Sequence, residues 1–165
     1  MDFTIEQQLR GSPTAVLDEL LSADFLAARA DLPKLSGSEV VELTRDKTTA
    51  HVRVRMRFTA RLAPAVTAVV DPEKLTWVDD ATYELTTRVA HHEIQPDHYA
   101  DRLSCTYEEA LLDAGTGTRR TLTGSLKVRA ILVGGRVEGA IVSGLREYAA
   151  AEAELLNRRL DASGA

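Results

Sequence analysis

The last third of the chain constrains the fold most, because it joins a strand-like stretch to one long helical pattern. Residues 121–133 are strand-like, and Gly134 and Gly135 separate them from an uninterrupted helical pattern over residues 136–160. The side chains of one helical face, most of them apolar, recur there at three- and four-residue steps: Val137, Ile141, Leu145, Tyr148, Ala151 or Glu152, and Leu155. A helix of that length is roughly 38 Å long, more than a compact domain of this size needs on its own. We therefore expect the preceding strands to wrap around it.

Size and composition predict one ordinary domain over residues 1–165. Hydrophobic residues make up 44% and charged residues 27% of the chain, and no apolar run approaches the length of a membrane span. The net charge of −5 argues against nucleic acid and anionic membranes as partners. The first residues lack the pattern of a secretory signal, and the single Cys105 cannot form an internal disulfide. We therefore predict a cytoplasmic protein with no stable membrane insertion.

The first part of the chain predicts a strand followed by two short helices. Alternating side chains indicate a strand that ends near Gly11: Phe3, Ile5, Gln7 and Leu9. Ser12 and Pro13 then form a helix-start signal, a serine N-cap followed by a proline in the first turn. Asp24 is expected to cap the second helix, which ends before Pro33.

The middle of the chain has the two-residue period of strands. Val41 and Leu43 indicate one strand. In the next, basic side chains alternate with apolar ones: His51, Arg53, Arg55 and Arg57 against Val52, Val54, Met56 and Phe58. This alternation is typical of an antiparallel sheet with one buried face. A solvated outer face explains the arginines more simply than a phosphate-binding patch does.

Four further strands are predicted between turn-rich segments: residues 75–85, 87–94, 102–112 and 119–133. The segment from Ala60 to Pro72 is interpreted as a loop, an edge strand or a flap. Consecutive strands without intervening helices imply an antiparallel sheet, so the order of elements predicts an α+β fold. A curved sheet of about six to seven strands, wrapped on the long C-terminal helix of about residues 135–160, encloses a space in which small apolar ligands usually bind.

This order of elements, with the junction Val133–Glu138 into the long helix, resembles the helix-grip fold of the START and birch-pollen-allergen (SRPBCC) superfamily. The resemblance spans Asp2 to Leu160. The segments Leu75–Val78 and Val133–Glu138, with Glu152, are similar to an actinobacterial family of unknown function. That family commonly has a proline before the two glycines, where this chain has Ala130-Ile131-Leu132. The resemblance implies a START-like domain whose cavity holds lipids, sterols, polyketides or other hydrophobic molecules, and it implies no universal catalytic residue.

Small residues cluster on the first half of the long helix. Gly135, Gly139 and Ser143 lie four residues apart, with Gly144 next to them. Each interior glycine costs about 1 kcal/mol relative to alanine. Close packing against the sheet is one explanation. The functional alternative is that Gly139 and Ser143 leave room for a ligand at the cavity mouth, or let this half of the helix move as a gate.

The middle strands carry a second candidate site. His91 and Glu93 share one face of a strand. Tyr107 and Glu109 share one face of a later strand, and Trp77 lies on a strand nearby. If all of them face inward, they place an imidazole, two carboxylates and a phenol in one pocket, which suits a polar ligand group or acid-base chemistry. A surface role is the alternative, since a register error of one residue exchanges the two faces.

The sequence predicts no metal site, no cofactor and no nucleophile. His91 and His92 point to opposite faces of a strand, and no spaced cysteine and histidine pattern of the zinc type occurs. Cys105 is interpreted as a small core residue. The sequence contains neither a phosphate-binding glycine loop nor a serine nucleophile elbow.

Three functions are compatible with these patterns. The leading hypothesis is a carrier or sensor that binds a small hydrophobic or lipid-like ligand between the sheet and the C-terminal helix. The first alternative is an enzyme of the cyclase, dehydratase or hydrolase kind in the same cavity, where His91, Glu93, Tyr107 and Glu109 must converge. The second is a protein-interaction module whose sheet edge or long helix docks a partner, a second copy of the chain included. We favour the binding module over the enzyme.

Overall fold

The computed structural model describes residues 1–33, 35–59, 67, 70–130 and 134–164. Within them the strands are β1 (Asp2–Leu9), β2 (Leu35–Arg45), β3 (Thr49–Phe58), β4 (Thr76–Glu84), β5 (Val89–Pro96), β6 (Leu103–Asp113) and β7 (Thr118–Val128). The α-helices are α1 (Pro13–Leu20), α2 (Ala23–Ala28) and α3 (Gly134–Ser163), and short 3₁₀ helices lie at Arg29–Asp31 and Pro72–Lys74.

The strands form one antiparallel sheet in the order β1-β7-β6-β5-β4-β3-β2. Strands β2 to β7 are therefore neighbours in chain order, and β1 joins the sheet beside β7. Alternate side chains of β1 are buried, and α3 packs against the inner face, where it contacts β1 and β7. The predicted α+β helix-grip fold, with two short helices after the first strand, is confirmed.

Serine caps begin both short helices. The Ser12 side chain accepts a hydrogen bond from the Ala15 N–H, as predicted. In the second helix the cap is Ser22, which accepts from the Phe25 N–H, so the expectation that Asp24 caps this helix is wrong. Asp24 lies instead within the first turn, where its negative charge interacts favourably with the positive end of the helix dipole.

Helix α3 spans 30 residues, about 45 Å, and is longer than its predicted core of residues 136–160. Its buried apolar side chains are Val137, Val142, Tyr148, Ala149, Leu156 and Leu160. Ile141, Leu145 and Leu155, from the predicted face, are only half-buried. The face shifts because α3 contacts α1 as well as the sheet. Of the helices described, none combines the length and apolarity needed to cross a membrane.

The alternation predicted for β3 is confirmed. Val52, Val54 and Met56 are buried, while the arginines lie on the outer face. There Arg53 Nε lies 3.0 Å from Asp80 and Arg55 Nη1 lies 2.5 Å from Asp97. These paired side chains match the simpler interpretation, a solvated outer face.

A β-bulge changes the face of one predicted strand residue. Val41 and Leu43 would share a face of a regular strand, but the register of β2 shifts between Val40 and Glu42. Val40 and Leu43 therefore pack on the core, and Val41 is 46% exposed.

Two predicted features fall largely outside the described residues. These are most of the 60–72 segment and residues 131–133, which include the start of the predicted junction into the long helix. The strand predicted to reach residue 133 ends at Val128.

Candidate functional site

A cluster of polar side chains lies between the inner face of the sheet and α3. Inward positions of β1, β4, β5, β6, β7 and α3 supply most of them, and the 3₁₀ turn after α2 supplies one: Gln7, Asp79, His92, Tyr107, Glu109, Arg120, Tyr148, Glu152 and Arg29. We call this set the interior polar cluster. Since a buried charge is costly unless it is paired, its pairing decides what the cluster can do.

Arg120 of β7 occupies the centre of the cluster. Its Nη2 lies 2.7 Å from Glu109 Oε2, and its Nη1 lies 2.6 Å from Glu152 Oε2. Nη1 also donates to Gln7 Oε1 at 3.2 Å. Arg120, Glu109 and Glu152 are all at least 95% buried, so β6, β7 and α3 are joined through charged groups inside the protein.

Glu152 has a second cationic partner, Arg29. Arg29 Nε lies 3.1 Å from Glu152 Oε1 and donates to the Tyr148 hydroxyl at 2.7 Å. Burial raises the pKa of the Glu152 carboxyl, but the charges of Arg120 and Arg29 outweigh burial and hold that pKa below its ordinary value. Glu152 therefore stays ionised in the interior.

Asp79, His92 and Tyr107 form the part of the cluster on β4 to β6. Asp79 Oδ1 lies 3.0 Å from His92 Nδ1, and Asp79 Oδ2 accepts from the Tyr107 hydroxyl at 3.0 Å. The His92 ring stacks on Tyr107, with 4.1 Å between ring centroids and 13° between planes. Burial raises the pKa of Asp79, but His92 and then Arg29 outweigh burial, so this pKa also lies below its ordinary value. An ionised carboxylate thus orients the imidazole.

A cavity of about 30 Å³ lies inside the cluster. Arg29, Asp79, His92, Tyr107, Arg120 and Glu152 are among the residues that line it. His92 Nε2 and Arg120 Nε are buried and have no hydrogen-bond partner in the described part of the chain, and the same holds for Glu109 Oε1 in the cluster. Buried polar atoms are nearly always paired, so the unpaired atoms mark this cavity as a place for a bound polar group.

Half-buried apolar side chains adjoin the cavity. Leu145 of α3 and Tyr107 line it and are incompletely covered. Leu103, Cys105 and Ile141 pack with them on the same apolar cluster and are also half-buried. The site therefore combines a polar interior with a partly accessible apolar border.

The structure separates the four polar residues predicted to converge. Tyr107 and Glu109 face inward, but His91 and Glu93 are exposed on the outer face. The inward position on β5 belongs to His92, one residue away from the residue predicted. Strand pairing fixes this, because His92 is opposite Tyr107 in the register of β5 and β6.

The remaining predicted site residues, Trp77, Gly139 and Ser143, are not among the residues that line the interior cavity. Trp77 is half-buried and packs on the core. Ser143 is exposed. A Cβ added at Gly139 would lie 3.8 Å from Met1 Cε, and one at Gly144 would lie 4.0 Å from Phe58 Cε2. Both are ordinary contact distances, so close packing does not require either glycine.

The most important residues of the cluster lie outside the set that the sequence predicts. Asp79, His92 and Arg120 are absent from that set. Asp79 and His92 each lie between apolar residues on the same face of an alternating strand, and Arg120 lies between the buried Thr118 and Leu122. Glu152 follows Tyr148 by four residues on α3. It enters the sequence interpretation as a position of the helical face and as part of the family resemblance, not as a site residue. A charged residue at an inward position of the period was the available signal.

A larger depression of about 860 Å³ lies on the outer face of the sheet. Its lining includes Asp80, His91, Glu93 and Glu108. We place the candidate site in the interior, because the side chains of the outer depression are largely exposed and its polar groups can be satisfied by solvent. Within the described residues, no group of three or more His, Cys, Asp or Glu side chains is arranged to hold a metal ion.

Comparisons with known proteins agree with this architecture. A family model described as "Protein of unknown function (DUF2505)" matches residues 4–160, and no curated protein matches the chain. The crystal structure of TTHA0849 from Thermus thermophilus is similar, with 17% identity over 100% of both chains and a TM-score of 0.71.

Two similar structures are enzymes by name. The Zhui aromatase/cyclase from Streptomyces sp. R1128 is 15% identical, with 99% of this chain and 98% of that chain covered and a TM-score of 0.69. Norcoclaurine synthase from Thalictrum flavum, in complex with dopamine and hydroxybenzaldehyde, is 15% identical over 94% of this chain and 86% of that one, with a TM-score of 0.61. At these identities the likeness shows a shared fold, the helix-grip fold described above.

Proposed function

The chain belongs to the DUF2505 family of proteins of unknown function, and we propose that it is a carrier or sensor for a small, largely apolar molecule with one polar group. The proposed ligand lies between the sheet and α3. The unpaired His92 Nε2 and Arg120 Nε at one interior cavity carry this proposal. The aromatic ligands named for norcoclaurine synthase are compatible with it. We also propose, from the sequence resemblance, that this family is the actinobacterial one.

The size of the cavity sets the kind of ligand. A water molecule needs at least about 10–15 Å³ of such space, so about 30 Å³ admits a group of two or three non-hydrogen atoms. The body of the ligand then lies along Leu145, Ile141 and Cys105, with Tyr107 and Trp77 as further contacts. A lipid acyl chain requires α3 to move away from the sheet, so a compact molecule suits the site better than the lipid-like ligand expected from the sequence.

A matched series of probes tests the proposal. 4-Phenyl-2-butanone and 4-phenyl-2-butanol carry one polar group on the same apolar body, and butylbenzene carries none. We expect the first two to shift the amide NMR signals of Tyr107 and Leu145 and to change the fluorescence of Trp77, the single tryptophan of the chain. Butylbenzene should bind about tenfold more weakly, because it leaves the buried polar atoms unpaired.

Two variants of α3 control for the location of the probe. Leu145→Trp fills the border of the cavity and should abolish the shifts. Ser143→Trp adds the same side chain at an exposed position and should leave binding intact. Shifts confined to the outer depression, or no binding of either oxygenated probe, refute the proposal.

A further inference from the structure

The geometry around His92 is that of an oriented base. Its Nδ1 lies 3.0 Å from Asp79 Oδ1, so the ring donates Nδ1–H to the carboxylate, and the neutral form then has its lone pair on Nε2. Stacking on Tyr107 and an edge contact with Tyr83, at 5.8 Å between centroids, fix the plane of the ring. His92 Nε2 is buried without a partner among the described residues and belongs to a residue that lines the cavity.

The same cavity is lined by a fixed cation with a free donor. Glu109 and Glu152 hold the two terminal nitrogens of Arg120, and its Nε–H has no partner within the described chain. A preorganised cationic donor in a water-poor site stabilises developing negative charge on oxygen. One cavity therefore has a proton acceptor and an oxyanion donor among its lining residues.

The lining argues against covalent chemistry. No serine, threonine or cysteine of the described chain lines this cavity. Burial raises the pKa of the nearby Cys105 thiol to about 12, so it is not a nucleophile at neutral pH. A base and an oxyanion donor without a nucleophile suit proton transfer rather than acyl transfer.

We propose that the interior site catalyses enolisation: His92, positioned by Asp79, removes a proton from a carbon next to a carbonyl group, and Arg120 stabilises the enolate oxygen. The inference rests on the proposed function, since the substrate occupies the same ligand site. The reacting C–C=O fragment has three non-hydrogen atoms, which matches a cavity of about 30 Å³.

The step balances within the site. The proton moves from the α-carbon to His92 Nε2, the C–H electron pair becomes the C=C bond, and the carbonyl π pair moves to oxygen. The new imidazolium lies beside Asp79 and 3.8 Å from Glu109 Oε2, and the enolate oxygen accepts from Arg120 Nε–H. Return of a proton to carbon completes isomerisation or exchange. If the enolate carbon instead attacks a second carbonyl, the proton on His92 passes to the new alkoxide, which gives the aldol product and restores the base.

Exchange of ketone protons for deuterium tests the step. We expect the protein to accelerate exchange at C1 and C3 of 4-phenyl-2-butanone in D₂O, followed by ¹H NMR. His92→Gln should lower the accelerated rate at least about tenfold. His98→Gln, at an exposed histidine after β5, should leave the rate unchanged. Asp79→Asn should slow exchange while amide shifts show that the ketone still binds.

Each outcome is decisive, and the two proposals fail separately. A ketone that binds but exchanges equally fast with wild type and His92→Gln overturns the enolisation step and leaves the binding function standing. A ketone that does not bind overturns both. ¹⁵N NMR of the unliganded wild type needs no probe: a bare Nε2 at pH 8 supports the inference, and an Nε2–H or a protonated ring overturns it.

Discussion

Replacing Glu152 with glutamine tests whether the interior polar cluster stabilises the fold. Its carboxylate lies 2.6 Å from Arg120 Nη1 and 3.1 Å from Arg29 Nε, so one carboxylate contacts two buried guanidinium groups. Glutamine keeps the size of the side chain and one acceptor oxygen but removes the charge. The substitution therefore isolates the ionic contribution of this residue.

The expected loss follows from what remains paired. Removing one partner of a buried ion pair typically costs about 3–5 kcal/mol. Arg120 keeps Glu109 at 2.7 Å, and Arg29 keeps the Tyr148 hydroxyl at 2.7 Å. We therefore expect the lower end, about 3 kcal/mol. For a chain of this length each kcal/mol shifts Tm by about 2–4 °C, so Tm should fall by about 6–12 °C.

The pH dependence gives the same experiment a second readout. Burial raises the pKa of Glu152, but Arg120 and Arg29 outweigh it, so the folded-state pKa lies below the unfolded one. Such a group stabilises the fold above its unfolded pKa and loses that contribution as pH falls through its folded pKa. The difference in free energy of unfolding between wild type and Glu152→Gln should have its full value at neutral pH and should become smaller below about pH 4.

Urea unfolding followed by circular dichroism measures this difference at neutral pH and below about pH 4. Glu154→Gln, at an exposed position of the same helix, is the matched control and should cost less than about 0.5 kcal/mol. A loss for Glu152→Gln that is no larger than that of the control refutes the conclusion that the cluster charges hold α3 to the sheet.

Two further predictions concern the sheet. A Cβ at Gly124 would overlap the Thr106 carbonyl oxygen and Tyr107 Cβ, so Gly124→Ala should destabilise the protein by about 1–3 kcal/mol. Gly135 has open space around it, so Gly135→Ala should not lower Tm; equal Tm values for both variants would contradict this. The hydrogen bond to Asp80 is the largest cause that raises the pKa of His51 above its ordinary value, so Asp80→Asn should lower that pKa in an NMR titration, and an unchanged pKa would show that Asp80 is not the cause.

The fold was predictable because strong local signals agreed. The alternation of β3, the Ser12-Pro13 helix start and the long C-terminal periodicity each reflect burial or capping that neighbours in sequence decide. The deviations arise where tertiary packing adds information. One deviation is the bulge that exposes Val41, and another is the capping of α2 by Ser22 instead of Asp24. Both depend on the local backbone conformation, and the residue types alone do not determine it.

The candidate site was only partly predictable, because its pairing is long-range. Arg120 and Glu152 are 32 positions apart in the sequence. No local sequence pattern shows that a charged residue will be buried beside a partner of opposite charge so far along the chain. On β5 each face carries a histidine, so the residue type itself does not choose between His91 and His92. The signal that was available, Ala90 and Ile94 on the same face as His92, becomes clear once the strand is paired with β4 and β6.

The charges of the interior polar cluster are themselves an argument for function. A buried ion pair is often no more stabilising than well-packed apolar residues of the same size, so stability alone does not explain an interior with two arginines and three carboxylates. Arg29 and Arg120 supply two positive charges for the three carboxylates of Asp79, Glu109 and Glu152, so an imidazolium at His92 is the remaining counter-charge within the cluster. A proton transferred from the ligand to His92 supplies that counter-charge without changing the net charge of the site, and Arg120 lines the same cavity as the negative charge left on the ligand.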